Sequence, residues 1–319
     1  MDIDRRESVQ LGESMQWIRI RGANAHNPLL LLVQMGPGLP MINEAPAFGR
    51  LLSLEDDFTV IYWDQRGCGR SLRSTDAPRD LSVQAMVSDT RRLLAMLRDR
   101  FDTRPIVAGF SMGATIAALA IAPRPDLVST LVTVGMDIDG AAADKNAYQF
   151  ALATAHAGNN RKAIRQLEAI GPPPHLEPKM FGTRARWATN FGGVRQGHTY
   201  NTMNRNLLFS LLRSPDYSLA DTVRTLRGIA ASRAALLPEL ATLDLPHTLT
   251  RVDTPIVMVQ GRHDQVAPAS AAERYAELLE APSKQLVWFE HSAHMPHLEE
   301  PERFRDLLVQ VRLGLPAKT

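Results

Sequence analysis

Five residues carry the clearest chemical signal in this chain: Gly109-Phe110-Ser111-Met112-Gly113. The apolar run ending at Gly109 reads as a buried strand, and Ser111–Ala122 reads as a helix of small apolar residues. A serine held at such a strand-to-helix turn is exposed at the end of the strand, beside the positive end of a helix. The two glycines suit the tight turn, because side chains there would clash. The pattern marks Ser111 as a candidate nucleophile for acyl transfer, and a serine hydroxyl needs a base to act as one.

Candidates for the base and its partner lie far along the chain. Gly261-Arg262-His263-Asp264 follows the apolar run Pro255–Gln260, and Glu290-His291-Ser292-Ala293-His294 follows Gln285–Phe289. If both runs are parallel strands, Asp264 and His294 emerge at the same edge of the sheet as Ser111. His294 would then take the serine proton, and Asp264 would orient the imidazole. Two alternatives stay open: His291 as the base, and Asp137, after the strand Leu131–Val134, as the acid. His263 would point away from the serine, His297 would make a surface or packing contact, and Asp253 lies at the wrong edge. An oxyanion hole needs backbone N–H groups. Met112 supplies one, and the loop Gln34-Met35-Gly36-Pro37-Gly38 supplies another from Gly36 or from Met35.

The elements that must position these groups alternate. Strands are expected at Leu29–Gln34, Phe58–Trp63, Ile106–Gly109, Leu131–Val134, Pro255–Gln260 and Gln285–Phe289. Helices are expected at Leu81–Arg100, Ser111–Ala122, Ser270–Leu279 and Pro301–Leu313. Short, nearly continuous apolar strands separated by helices predict an α/β fold with a doubly wound, mostly parallel sheet. One stretch has helical patterning and no convincing strand. We therefore expect a core of residues 1–136 and 250–319, with residues 137–249 inserted as a helical cap.

Composition narrows the function classes. Of 319 residues 45% are hydrophobic, enough for a large core, and the formal net charge is only +2. With no long basic run, nucleic acid is not an expected partner. The single cysteine, Cys68, excludes an internal disulfide, and no apolar run approaches membrane-spanning length, so no membrane association is expected. These features point to a cytoplasmic protein. The sequence has no HExxH, clustered Cys/His, P-loop or complete GxGxxG, so no metal and no cofactor is expected.

Asp64-Gln65-Arg66-Gly67-Cys68-Gly69-Arg70-Ser71 resembles the D-Q-R-G-x-G-x-S signature of proline iminopeptidase-like α/β-hydrolases. The GRHD and HSAHMPHLEEPERF segments are similar to that family's acid and histidine regions. The resemblance implies the α/β-hydrolase fold, the chain order Ser111, Asp264, His294, and a structural, non-catalytic role for the 64–71 turn. Two features depart from the family. Its H-G-G-P-G oxyanion loop is here Gln34-Met35-Gly36-Pro37-Gly38, and the inserted segment lacks the Trp-Glu pairing and is poor in acids. Gln34, Phe110, Trp187, Phe191 and Tyr200 are the expected pocket residues. The function expected is hydrolysis of an ester, lactone or amide of a small, moderately apolar molecule or short peptide through an acyl-enzyme on Ser111. Alternatives are an aminopeptidase of the proline iminopeptidase type, and a non-hydrolytic binding protein or cyclase.

Overall fold

The computed structural model describes residues 3–72 and 81–316. Among these residues, eight strands form one sheet in the order β1-β2-β4-β3-β5-β6-β7-β8. They are β1 (Ile3–Leu11), β2 (Ser14–Gly22), β3 (Leu29–Val33), β4 (Thr59–Asp64), β5 (Ile106–Phe110), β6 (Thr130–Val134), β7 (Ile256–Gly261) and β8 (Lys284–Phe289). From β4 to β8 all neighbours run parallel; β1 and β2 are an antiparallel hairpin attached to β4.

The central strands β3 to β7 are apolar almost throughout because both faces are covered. Helices α1 (Ala45–Leu51), α2 (Leu54–Asp57), α3 (Val83–Phe101) and α4 (Met112–Ile121) alternate with the first strands. On one face Leu31, Ile61, Val107 and Leu131 pack under Leu93, Leu94 and Leu97 of α3 and Ala117 and Ile121 of α4. On the other, Leu30, Val60, Ala108 and Val132 meet Phe48 of α1 and Phe304 of the C-terminal helix. Neighbours in sequence thus point to opposite cores, as the strand period of two requires. Ser82 caps α3 by accepting the Ala85 N–H.

Between β6 and β7 the chain leaves the sheet as α5 (Gly140–Ala157), α6 (Arg161–Ile170), α7 (Pro178–Asn190), α8 (Tyr200–Arg213), α9 (Leu219–Ala241) and α10 (Leu245–Thr248). It departs and returns at one place: Gly140 N–H donates to Leu243 O, and Leu245 N–H to Ile138 O. The helices have an apolar core of their own, with Ala147, Ala151, Ala163, Leu167 and Trp187 buried together. The chain then completes the sheet domain with β7, α11 (Ala269–Leu278), β8, α12 (Pro296–Glu299) and α13 (Pro301–Arg312). Among the described residues, no helix is long and apolar enough to cross a membrane.

The Asp64-Gln65-Arg66-Gly67 turn, which follows β4, ties these layers together. Asp64 is fully buried; one carboxylate oxygen accepts the backbone N–H of Met41 and Ile42, and the other accepts Arg70 N–H and the Tyr217 hydroxyl. Arg66 pairs with buried Asp89, which also binds Gln16, and Gln16 in turn accepts Trp63 Nε1–H. One fully committed carboxylate therefore fixes the segment after the β3 loop, the 70–72 turn and the α8–α9 connection.

Candidate active site

Ser111 sits between β5 and α4 with φ 51° and ψ −125°, a conformation that non-glycine residues rarely adopt. The surroundings over-determine it. Its N–H donates to Val134 O on β6, and its own carbonyl receives Ala114 N–H. A Cβ on Gly109 would stand 2.5 Å from Ala114 Cα, and one on Gly113 would stand 2.4 Å from the carbonyl oxygens of Val33 and Gln34. The flanking glycines are therefore required by backbone that packs directly on backbone, and α4 is pressed against the end of β3.

Asp264 and His294 meet at the same edge. His294 Nδ1 lies 2.7 Å from Asp264 Oδ2, and both side chains are buried. Asp264 is held in turn: Oδ1 accepts the N–H groups of Val266 and Ala267, and Oδ2 also accepts Gln260 Nε2–H. The two loops touch so closely that a Cβ on Gly261 would fall 1.8 Å from Ala293 O. Gly135, at φ +54°, leaves room for the imidazole, since a Cβ there would sit 2.9 Å from His294 Nδ1. Burial opposes the imidazolium, but the Asp264 carboxylate overrides it by charge and hydrogen bond, with Asp137 and Glu299 adding to it; the His294 pKa stands above the ordinary histidine value.

A profile described as alpha/beta hydrolase fold matches residues 28–301. The chain belongs to that family. This hydrolase-family chain is 28% identical over 309 residues to a probable aminopeptidase, YbaC, of Bacillus subtilis, covering 95% of this chain and 94% of that one. It is 25% identical to a proline iminopeptidase of Heyndrickxia coagulans, over 80% of this chain and 81% of the relative. The fold matches that of a proline iminopeptidase-related protein from Thermus thermophilus with a TM-score of 0.64, 20% identity and 98% of both chains covered.

In this α/β-hydrolase the rival histidines stand apart from the serine. His263 and His291 are exposed. His297 is buried against Phe110, ring centroids 4.5 Å apart, and burial together with the nearby His294 and Arg195 pushes its pKa down to about 3. It is a neutral core residue. Asp253 is exposed beside Arg251. Asp137 is different: it lies within reach of Ser111, whose hydroxyl donates to Asp137 Oδ1 across a long 3.4 Å. Burial raises its pKa to about 6; the repulsion of Asp264 adds to this, while His294 opposes it. The site thus contains two carboxyl groups, one bonded to the histidine and one facing the serine.

Two cavities lie in this region, with Arg233 on the wall of both. A small one of about 150 Å³ reaches Ser111 and Asp137 beneath α5, α7 and α9. A larger one of about 680 Å³ lies beyond the β3 loop, between α1, α8 and α9, lined by Gln34, Met35, Tyr200, Met203 and Met295. Gln34 and Tyr200 line the larger cavity, whose lining does not include Ser111. Phe110, Trp187 and Phe191 line neither. Phe110 is fully buried among Phe48, His297 and Phe304, and Trp187 stacks on Phe191 inside the inserted helices and donates to Gln166. Their apolar surface is spent on packing. In the β3 loop, Met35 N–H is taken by Gln34 Oε1, and a Cβ on Gly36 would collide with Met112 Cε. Met112 is the first residue of α4, where an N–H has no partner within its own helix.

The sequence reading of the insertion as acid-poor needs correction at the site itself. Asp137, Asp139 and Asp144 all line the small cavity, together with Arg184 and Arg233. The acids further along the insertion are remote from it or bound elsewhere: Asp216 pairs with Arg6 and Arg19, and Asp221 with Arg70 and Arg224. Arg184 and Arg233 carried no signal in sequence beyond their charge.

Proposed function

We propose that this protein is a serine hydrolase that cleaves an ester or amide bond through an acyl-enzyme on Ser111. The observation that carries the reading is the strained Ser111 turn beside a buried Asp264–His294 pair, all at the carboxyl edge of one parallel sheet. The reaction begins when the serine hydroxyl leaves Asp137 for His294. His294 Nε2 accepts the proton as Oγ bonds to the substrate carbonyl carbon, and the carbonyl electron pair moves onto oxygen. Met112 N–H and Gly36 N–H stabilise that oxyanion; Met35 N–H, already satisfied by Gln34, is set aside. Collapse breaks the bond to the leaving group, which takes the proton from His294. A water then repeats the sequence against the acyl-enzyme, releasing a carboxylic acid and restoring Ser111. Asp264 holds Nδ1 and favours the imidazolium formed in each half-reaction.

Reaction with a fluorophosphonate probe tests this: adduct at Ser111 in the intact protein and none in Ser111→Ala supports it. An unlabelled intact protein that also turns over no ester would sink it, and would return the binding-protein reading.

A second reading is an aminopeptidase, and a specific observation favours it. Asp137 places a carboxylate beside the nucleophile, where a substrate's terminal ammonium would be attracted, and two relatives bear aminopeptidase names. Turnover of a proline p-nitroanilide in large excess over a p-nitrophenyl ester would select this reading over the esterase.

A further inference from the structure

The small cavity contains cations that the reaction scheme leaves unused. Arg233 on α9 and Arg184 on α7 flank the ring of Phe181, their guanidinium carbons 5.5 and 4.7 Å from its centroid, and both side chains line the cavity that opens on Ser111. Arg184 lies 2.9 Å from Asp144 Oδ1, though out of line for a hydrogen bond from Nε. Arg233 has no carboxylate within ion-pair distance among the described residues, and its Nε–H is buried without an acceptor. It also lines the larger cavity, so one side chain borders both. A buried guanidinium donor without an acceptor is costly, and a native structure that keeps one calls for an explanation.

The acids of the cavity do not supply that acceptor. Asp139 caps α5 by accepting Ala142 N–H. Asp144 accepts both the backbone N–H of His175 and its ring Nδ1 contact at 2.7 Å. Asp137 faces Ser111. Each carboxyl is engaged, and the Nε–H of Arg233 remains without an acceptor. A planar carboxylate fits a guanidinium fork with two parallel hydrogen bonds.

We infer that the substrate carries a carboxylate on the part that enters the small cavity, bound there by Arg233 with Arg184 beside it. This rests on the serine-hydrolase reading and specifies its substrate class: esters or amides whose acyl portion ends in an acid.

The test compares p-nitrophenyl hydrogen glutarate with p-nitrophenyl pentanoate, which has a similar chain and no charge. The expected ratio of kcat/KM favours the glutarate ester by about tenfold or more, and this preference resides mainly in KM. In Arg233→Met the ratio falls towards one, and Arg233→Lys recovers part of it. Circular dichroism establishes that both variants fold. Independently, glutarate titrated calorimetrically into Ser111→Ala should bind, and should bind about tenfold more weakly when Arg233→Met is added. Glutarate binding that depends on Arg233, with no ester turned over, would uphold the carboxylate site while removing the hydrolase reading. Equal turnover of the two esters in the intact protein, with no glutarate binding, would overturn the site and leave the hydrolase reading standing. Inorganic phosphate binding at Arg233 in place of glutarate would also overturn it, in favour of a phosphorylated substrate.

Discussion

The floor of the site and its roof are built on different principles. On the floor every group is held from several sides: Asp264 accepts from Val266, Ala267, Gln260 and His294, and Ser111 is locked by Val134 and Ala114. In the roof, helices α5, α7 and α9 offer charged side chains to open space, and Arg233 has its Nε–H unsatisfied. A floor made this way keeps one reaction geometry. A roof made this way would leave the choice of ligand to side chains such as Arg233, whose Nε–H no other group satisfies. On the proposed reaction, chemistry belongs to one layer and selectivity to the other, so substitutions in the two layers should fail in different ways.

The largest effects belong to the floor. Ser111→Ala should reduce kcat by at least about 10⁴-fold with the melting temperature nearly unchanged, read by ester hydrolysis and calorimetry. Retention of most activity would remove the floor from the comparison. His294→Ala should cost a similar factor, since members of such a unit act together, whereas exposed His291→Ala should stay within about twofold. The reverse ranking moves the base to His291. Asp264→Asn should cost about 10³- to 10⁴-fold, because Nδ1 would then lose its acceptor and charge partner.

Trp187→Ala sharpens the comparison from the other side. It empties the core of the inserted helices and should lower stability by about 3–5 kcal/mol by urea denaturation. Labelling of Ser111 below the transition should slow by less than about tenfold. A loss equal to that of His294→Ala would show that roof and floor are not separable.

The smallest expected effect concerns pH. His294 must be neutral to accept a proton, so kcat/KM falls as pH drops through its raised pKa, which puts the acid limb above the ordinary histidine value. Asp137→Asn removes one of the negative charges that raise it, and the limb should move to lower pH. An unmoved limb would mean that Asp137 and His294 are not electrostatically coupled.

The same division explains what could be read in advance. The central strands were legible because burial on both faces leaves an apolar run, and Ser111 was legible because its glycines are demanded by backbone contacts. The hairpin β1–β2 was not. Its β1 strand is largely exposed, and the sequence Asp4-Arg5-Arg6-Glu7 carries no apolar run; pairing with β2, which is itself paired with β4, makes it a strand. Strand ends brought Asp264 and His294 to the right edge but left Asp137 and His291 open as rivals, because the contact between Asp264 and His294 depends on loops meeting across thirty residues. The roof was least legible. Phe110, Trp187 and Phe191 have the composition expected of a pocket and are used for packing, while the cavity charges Asp139, Asp144, Arg184 and Arg233 look in sequence like any solvated helix face.

One backbone contact links the two layers more tightly than their chemistry suggests. His294 N–H donates to Val194 O, and Gln265 N–H donates to Gly193 O, in the segment between α7 and α8. Both loops that bring the acid and the base to Ser111 therefore lean on the same two residues of the insertion. A chimaera that replaced the inserted helices on this sheet would have to keep the path of residues 193–194. Losing it would misplace the histidine even with every residue of the sheet intact, so the natural unit for recombination is the inserted helices together with these two supporting loops.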